Sequence, residues 1–295
     1  MAIIDDRSEY APARMVKFKI TLEAKSLKAE PIKTITLTKN SKPFALNEID
    51  PEAIVSYGNQ FIIASEGSYR ANGRFKPFIS SFGADGAFVS DYQFNSDRYI
   101  PEDQGEMTKG FRSNLGFESL SFSPDQKFLF SVNEAALRQD ADEDYHAQNI
   151  VRLMVMAMGS QGFQKEYAIK LDHVTESEHT GENGISDILA ISDTEVLILE
   201  RSWISEVKKQ VVKLYKVELE EAARVETLAT LKGHKKFLSK KLILDFSKLG
   251  IRIDNLEALA FGPMINGNPS LLVASDNNFS KHQITQFLLF EILDL

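Results

Sequence analysis

The feature that most restricts how this chain can fold is a segment that returns four times with the same polar punctuation. "DPEAIVSYGNQFIIASEG" from Asp50, "GFESLSFSPDQKFLFSVNE" from Gly116, "GISDILAISDTEVLILER" from Gly184 and "NLEALAFGPMINGNPSLLVASDN" from Asn255 align with one another. Each opens on a carboxylate, Glu52, Glu118, Asp187 or Glu257, and closes on another, Glu66, Glu134, Glu200 or Asp276. The opening carboxylates recur 66, 69 and 70 residues apart. The N-terminal "AIIDDRS" matches the closing half of a fifth copy, ending at Asp5 and Asp6.

The spacing inside each copy predicts a hairpin. If the two carboxylates face each other across an antiparallel pair, the turn lies midway between them. Those midpoints fall at Asn59, at Gln126, between Asp193 and Thr194, and between Asn266 and Gly267. All sit in turn-forming clusters ("YGNQ", "SPDQK", "SDTE", "NGNP"), where Asn, Asp and Gly suit the tight backbone. Further strand-like runs lie between the hairpins: "FKPFISSFGADGAFVSDYQF", "NIVRLMVMAMG" with "KEYAIKLD", and "VVKLYKVELE" with "RVETLATLKG". Each repeat therefore holds about four short strands in about 67 residues, the pattern of a β-propeller blade. A β-sandwich would use similar strands but gives no reason for a regular carboxylate pair.

The chain is thus expected to be all-β, a single propeller domain over residues 1–295 with five visible blades. The first blade lacks its inner strand and the last, "TQFLLFEILDL", stops after a third strand. A complete ring would draw on sequence before Met1, and a sixth blade upstream stays open.

In a propeller, the start of a blade's first strand and the end of its second lie on one face. The carboxylate pairs, with Asp5 and Asp6, are then expected to ring one mouth of the central channel. Crowded acids repel and hold their protons unless cations compensate. Arg7 and Arg201 directly follow closing carboxylates, and Arg70 and Arg138 come four residues after others. The remaining acids, Asp6, Glu52, Glu66, Glu118, Asp187, Glu257 and Asp276, sit beside amides of Asn133, Asn183, Asn255, Asn277 and Asn278. This hard-oxygen set suits calcium. The competing reading is structural: strand-end Asp and Glu bond backbone N–H groups of the next blade without any metal.

Bulk properties narrow the class. The formal net charge is −8, which argues against nucleic acid or an anionic membrane as the main partner. There is no cysteine, hence no thiolate ligand or nucleophile. No apolar run approaches the roughly 18 residues of a membrane span, and the N-terminus carries no basic-then-apolar export pattern. Nothing matches a serine-histidine-aspartate set, a nucleophile elbow or a phosphate-cradling loop. Three weaker candidates remain. The acidic loop "DHVTESEHTGEN", residues 172 to 183, holds His173 and His179 and reads as a flexible loop, with a lid or second ion site as the alternative. The basic run "GHKKFLSKK", residues 233 to 241, reads as solvated surface, with phosphate contact as the alternative. Trp203, the single tryptophan, either walls the cleft or packs a blade.

On these residues the chain resembles the phytase-like family described as the esterase-like activity of phytase. The matching segments are "DDRSEYAPARMVKFKI", "DPEAI…ASEGSYRANGRFKP", "NLGFESLSFSPDQKFLFSVNEAALRQD", "GISDILAISDTEVLILERSW" and "DNLEALAFGP…SLLVASDNNFSKHQITQFLLFEI", in family order through nearly the whole chain. The resemblance implies a calcium-dependent propeller related to phosphate-ester hydrolases, with a small-molecule ester as its partner. It also implies an exported or periplasmic protein. On that reading Glu134 or Glu200 is the general base, and Arg138 and Arg201 act beside it. Arg7 and Arg70 hold substrate phosphate by forked hydrogen bonds. Two other readings stay open: a non-catalytic module in which calcium is structural, and a lactonase or carboxyl-esterase holding one axial ion with a Glu and two or three Asn.

Overall fold

Alternating apolar residues along short runs, each run broken by Gly, Asn or Asp, build five antiparallel blade sheets, beside three small two-stranded ones, in this computed structural model. It describes residues 1–23, 26–70, 73–141, 149–176 and 179–294. Blade 2 consists of Pro51–Tyr57, Gln60–Ser65, Phe78–Gly83 and Phe88–Asp91. Blade 3 consists of Phe117–Phe122, Phe128–Asn133, Ile150–Ala157 and Lys165–Lys170, and blade 4 of Glu182–Ala190, Glu195–Ile204, Lys209–Glu218 and Lys240–Asp245. Three strands form blade 5, Asn255–Phe261, Ser270–Asp276 and Phe287–Glu291, and three form blade 1, Ala2–Ile3, Arg14–Glu23 and Ser26–Thr36. Strand order within each blade follows chain order, and the inner strands of blades 2 to 5 lie side by side around the axis. This is the expected five-bladed propeller.

The turns fall where the spacing predicts. Tyr57 pairs with Gln60 around Gly58, whose φ is +56°. Gln126, Asn266 and Gly267 likewise take left-handed φ values of 58°, 51° and 87°. Asn and Gly reach that region cheaply, which is why they punctuate the repeats.

Hydrophobic burial holds neighbouring blades face to face. Ile62, Ala64, Phe117 and Leu129 meet between blades 2 and 3, and Val132, Val151, Ile185 and Ile198 between blades 3 and 4. Leu197, Leu199, Leu256 and Val273 fill the wedge between blades 4 and 5, and Met15, Ile35, Ile63 and Phe82 that between blades 1 and 2. Blades 5 and 1 meet through Tyr10 stacked on Phe279, ring centres 4.3 Å apart, and Phe18 against Phe287 at 6.0 Å.

A polar rivet strengthens one wedge. The side chain of Arg152 is fully buried, and its Nε and Nη2 donate to Asp140 at 2.7 and 2.9 Å. Its Nη1 donates to Glu166 at 3.0 Å, and further bonds reach the carbonyls of Val225 and Leu228. Removing one partner of a buried pair leaves charge without compensation in a poorly solvating interior. Arg152→Leu is therefore expected to destabilise the fold by about 3–5 kcal/mol. Denaturant unfolding that shows less than about 1 kcal/mol of loss would contradict this account.

Candidate active site

Every inner strand of blades 2 to 5 breaks its ladder at the same place. The register slips between Pro51 and Ala53, Phe117 and Ser119, Ile185 and Asp187, and Leu256 and Ala258. The residue caught in the bulge is Glu52, Glu118, Ser186 and Glu257, respectively. A bulge leaves one residue unpaired and re-aims its side chain, here toward the channel. Glu52, Glu118 and Glu257 all line a cavity of approximately 1060 Å³ at the channel mouth.

This register corrects the expected carboxylate pairs in every blade. The backbone of Glu66 bonds back to Asp50 and that of Glu134 to Gly116, and Asp276 faces Asn255. Glu52, Glu118 and Glu257 thus stand one bulge away from the acids that spacing pairs them with. Blade 4 departs further. Sequence spacing pairs Asp187 with Glu200, but Ile185 faces Glu200, Gly184 faces Arg201, and Asp187 faces Leu199. The position held by Glu66, Glu134 and Asp276 in the other blades is taken by Arg201 in blade 4. In a strand, a shift of one residue moves a side chain to the opposite face. Glu200 is accordingly buried away from the cavity, accepting bonds from the Asp172 N–H at 3.0 Å, Asn183 at 3.1 Å and Lys240. Asp187 accepts the N–H groups of Ile188 at 2.8 Å and of Leu259, in blade 5, at 2.6 Å. Burial raises its carboxyl to about 8 against the pull of those two donors. Asp187 thus acts as an inter-blade clamp.

Other expected residues also move. Asp6 turns away from the channel, accepting N–H groups of Glu9, Tyr10 and Ala11 and the Arg14 guanidinium at 2.7 Å. Its neighbour Asp5 lines the cavity instead. Arg138 donates Nε to the carbonyl of Phe111 at 3.3 Å and does not line the cavity. The side chain of Arg70 lies outside the described residues. Arg7 ion-pairs with Asp50 at 2.7 Å, lies 3.6 Å from Glu66, and also donates to Asn114. Asp276 accepts its own neighbour's N–H, from Asn277, at 2.6 Å.

Two groups remain at the mouth. In the first, Asp5, Asp50 and Glu52 each present a carboxylate oxygen, all within 4.8 Å of one another. Asp50 is fully buried, its side chain shares a hydrogen bond with the raised Glu66 carboxyl, and among the described residues no N–H group reaches its Oδ1. A bare carboxylate oxygen out of water is costly unless a cation meets it. Three carboxylates against one Arg7 fit a hard divalent ion, calcium above the thiolate- or imidazole-seeking metals. Asp50 was not singled out by sequence reasoning. Aligning the repeats by strand register would have found it, since it holds the entry position taken by Gly116, Gly184 and Asn255.

In the second group, Glu118 and Glu134 share a hydrogen bond that favours the proton on Glu118 and the charge on Glu134. Arg201 reaches Glu134 at 3.3 Å, Glu257 at 3.2 Å and the Asn255 amide oxygen at 2.7 Å. Gly116 and Gly184 make room for these acids: a Cβ on Gly116 would approach the Glu66 Cβ to 2.8 Å, and one on Gly184 the Glu134 Cγ to 2.5 Å. Trp203, 39% exposed, walls the same cavity. The side chain of His179 lies outside the described residues, and Lys240 of the basic run is tied to Asp172 and Glu200.

Although Glu134 and Glu257 keep 12% and 29% of their side-chain surface, the channel wall surrounds them. Burial is the main force raising Glu52, Glu66, Glu118 and Glu134. Neighbouring acids add to it for Asp5 and Glu257, each raised to about 7.

The family model described as "Phytase-like: Esterase-like activity of phytase" matches residues 1–279. The chain belongs to this family of β-propellers. No curated protein matches the sequence. The crystal structure of an endo-arabinase from Bacteroides thetaiotaomicron superposes with a TM-score of 0.48 at 12% identity, covering 99% of this chain and 94% of that one.

The raised carboxyls set a pH dependence. Asp5 and Glu257 keep their protons to about pH 7 when folded, whereas unfolded carboxyls release theirs near pH 4. Between those limits the folded state binds more protons, so stability falls as pH rises through the window. Without divalent ions, the melting temperature is expected to be higher near pH 5 than near pH 8. Glu257→Gln is expected to flatten that slope, and a melting temperature independent of pH would refute the assignment.

Proposed function

We propose that this protein is a calcium-dependent hydrolase that cleaves a phosphate ester at the acidic mouth of the channel. The observation that carries the proposal is the Asp5–Asp50–Glu52 trio, with a buried carboxylate oxygen that no described N–H group reaches, opening on the same cavity as Glu118, Glu134 and Arg201. Membership of the phytase-like family supports the hydrolase class.

In this reading Asp5, Asp50 and Glu52 hold the ion, and Arg7 anchors Asp50 against the mutual repulsion of the acids. An ion held by Asp5, Asp50 and Glu52 would supply positive charge to neutralise the ester and Lewis acidity to activate water. Glu134, raised by burial but drawn toward the charged form by Arg201 and by its hydrogen bond with Glu118, accepts the proton of the attacking water as general base. Arg201 presents a guanidinium whose Nε has no acceptor and serves the transferring phosphoryl group. Trp203 shields one side of the cavity and offers a flat face to the alcohol portion of the ester. An axial ion held by asparagines, as a lactonase would need, has less support, because the Asn255 oxygen already accepts from Arg201 and Gln210.

Phosphate release from a panel of monoesters tests the proposal. Turnover is expected with calcium and is expected to disappear with a chelator. Glu134→Gln should lower kcat by about a hundredfold or more, whereas Glu200→Gln should act chiefly on stability. Calorimetric calcium binding should weaken strongly in Asp50→Asn. Absence of phosphate release from every ester in the presence of calcium would overturn the phosphatase reading. Lactone turnover in its place would select the esterase alternative.

A further inference from the structure

We propose that the two-stranded ribbon of blade 1, built from residues 17–23 and 26–33, is a docking arm for an anionic lipid surface. The net charge of the whole chain conceals this feature. From Lys17 to Lys33 the sequence has five Lys and two Glu, in a chain whose formal net charge is −8. A cationic limb therefore projects from an acidic body.

The ribbon stands apart from the packed part of its blade. Only Met15 and Val16 of the strand Arg14–Glu23 pair with Ala2–Ile3, so from Lys17 onward its sole strand partner is Ser26–Thr36. Seven residues at about 3.3 Å each make an arm of about 23 Å. An isolated two-stranded ribbon is marginal in water, and here the apolar side of the ribbon leans on blade 5, where Ser26–Thr36 contacts Phe287–Glu291, leaving the lysine face free. At its base, Phe18 rests on Phe287 of blade 5.

The two faces of the ribbon differ chemically. The register places Phe18 opposite Pro31, Ile20 opposite Ala29 and Leu22 opposite Leu27 on one face. The other face pairs Lys17 with Lys33, Lys19 with Glu30 and Thr21 with Lys28. Like charges directly opposite are destabilising in a folded sheet, yet Lys17 and Lys33 are placed so. Lys17, Lys19, Lys28 and Lys33 are exposed, and only Lys28 has an ion-pair partner, Glu30, among the described residues. Leu22 near the tip and the bulged Ile32 remain 46% and 55% exposed.

These properties fit an anionic bilayer. Lysine is a compact point charge without the fork that selects one carboxylate or phosphate geometry, so a row of lysines on a flat strand suits a diffuse field of headgroups. Basic residues bind such a surface additively within about a Debye length, roughly 8 Å at physiological salt. The exposed Lys17, Lys19, Lys28 and Lys33 share the face turned to the headgroups, while Phe18, Ile20 and Leu22 lie on the opposite face. A second copy of the chain is a poorer fit, because its acids at the channel mouth are recessed and drawn onto Arg201 and Arg7.

Co-sedimentation of the whole chain with vesicles tests the inference. Binding is expected to vesicles of equal parts phosphatidylcholine and phosphatidylglycerol at low salt, and not to pure phosphatidylcholine. It should be lost near molar salt, where the Debye length is about 3 Å. The triple variant Lys17→Gln, Lys19→Gln, Lys33→Gln is expected to bind at least about tenfold more weakly. Its melting temperature and any ester turnover should match the parent, which separates this outcome from failure of the hydrolase reading. Equal binding to both vesicle types, no binding at low salt, or undiminished binding by the triple variant would overturn the proposal. So would a dimer abolished by the same substitutions without any vesicle binding.

Discussion

Carboxylates crowded into a narrow, poorly solvated channel are the constraint around which this propeller is arranged. Glu52, Glu66, Glu118, Glu134 and Glu257 are all raised by burial. Such a ring folds only if its charge is shared out. Arg201 takes Glu134 and Glu257, Arg7 takes Asp50, the Gly116 N–H takes one oxygen of Glu66, and burial raises Glu118 toward its neutral form. What remains is the trio at the seam of blades 1 and 2, where no N–H group among the described residues reaches the Asp50 Oδ1. The residual negative charge is therefore localised at one place on the rim.

The bulge repeated in four inner strands turns this electrostatic problem into a site. Without it, strict alternation would send Glu52, Glu118 and Glu257 to a face shared with core residues. With it, each acid enters the channel while its neighbours continue the apolar wedge. Blade 4 breaks the pattern by carrying Ser186 in the bulge and Arg201 at the rim. That exception supplies the cation on which its acidic neighbours on both sides depend. Glycine at the entries of blades 3 and 4 belongs to the same design, because any side chain there would displace the preceding blade's acid.

Much of this was legible in the repeats. Turn chemistry at Gly58, Gln126 and Asn266 announced the hairpins, and carboxylate spacing announced the rim. The assignments that shifted did so for one physical reason. Strand faces alternate every residue, so an alignment displaced by one position exchanges channel for core. Glu200 and Arg201, and Asp5 and Asp6, are adjacent pairs of this kind. Arg138 shifted for a different reason: it lies past the hairpin, where spacing from a strand no longer predicts direction. Average charge misled in a comparable way, since a value for the whole chain cannot show a lysine ribbon set against an acidic body.

The amino-acid sequence by itself determined the propeller, the hairpin turns and the gathering of acids at one mouth, because these follow from periodicity and turn propensity along the chain. Tertiary structure alone decided which acids face the channel, that Arg201 balances them, and that Asp50 stands beside Asp5 and Glu52. Those facts depend on bulges one residue long and on contacts between blades far apart in sequence. A one-residue slip leaves the composition and the period almost unchanged, yet it reverses the face on which a side chain works.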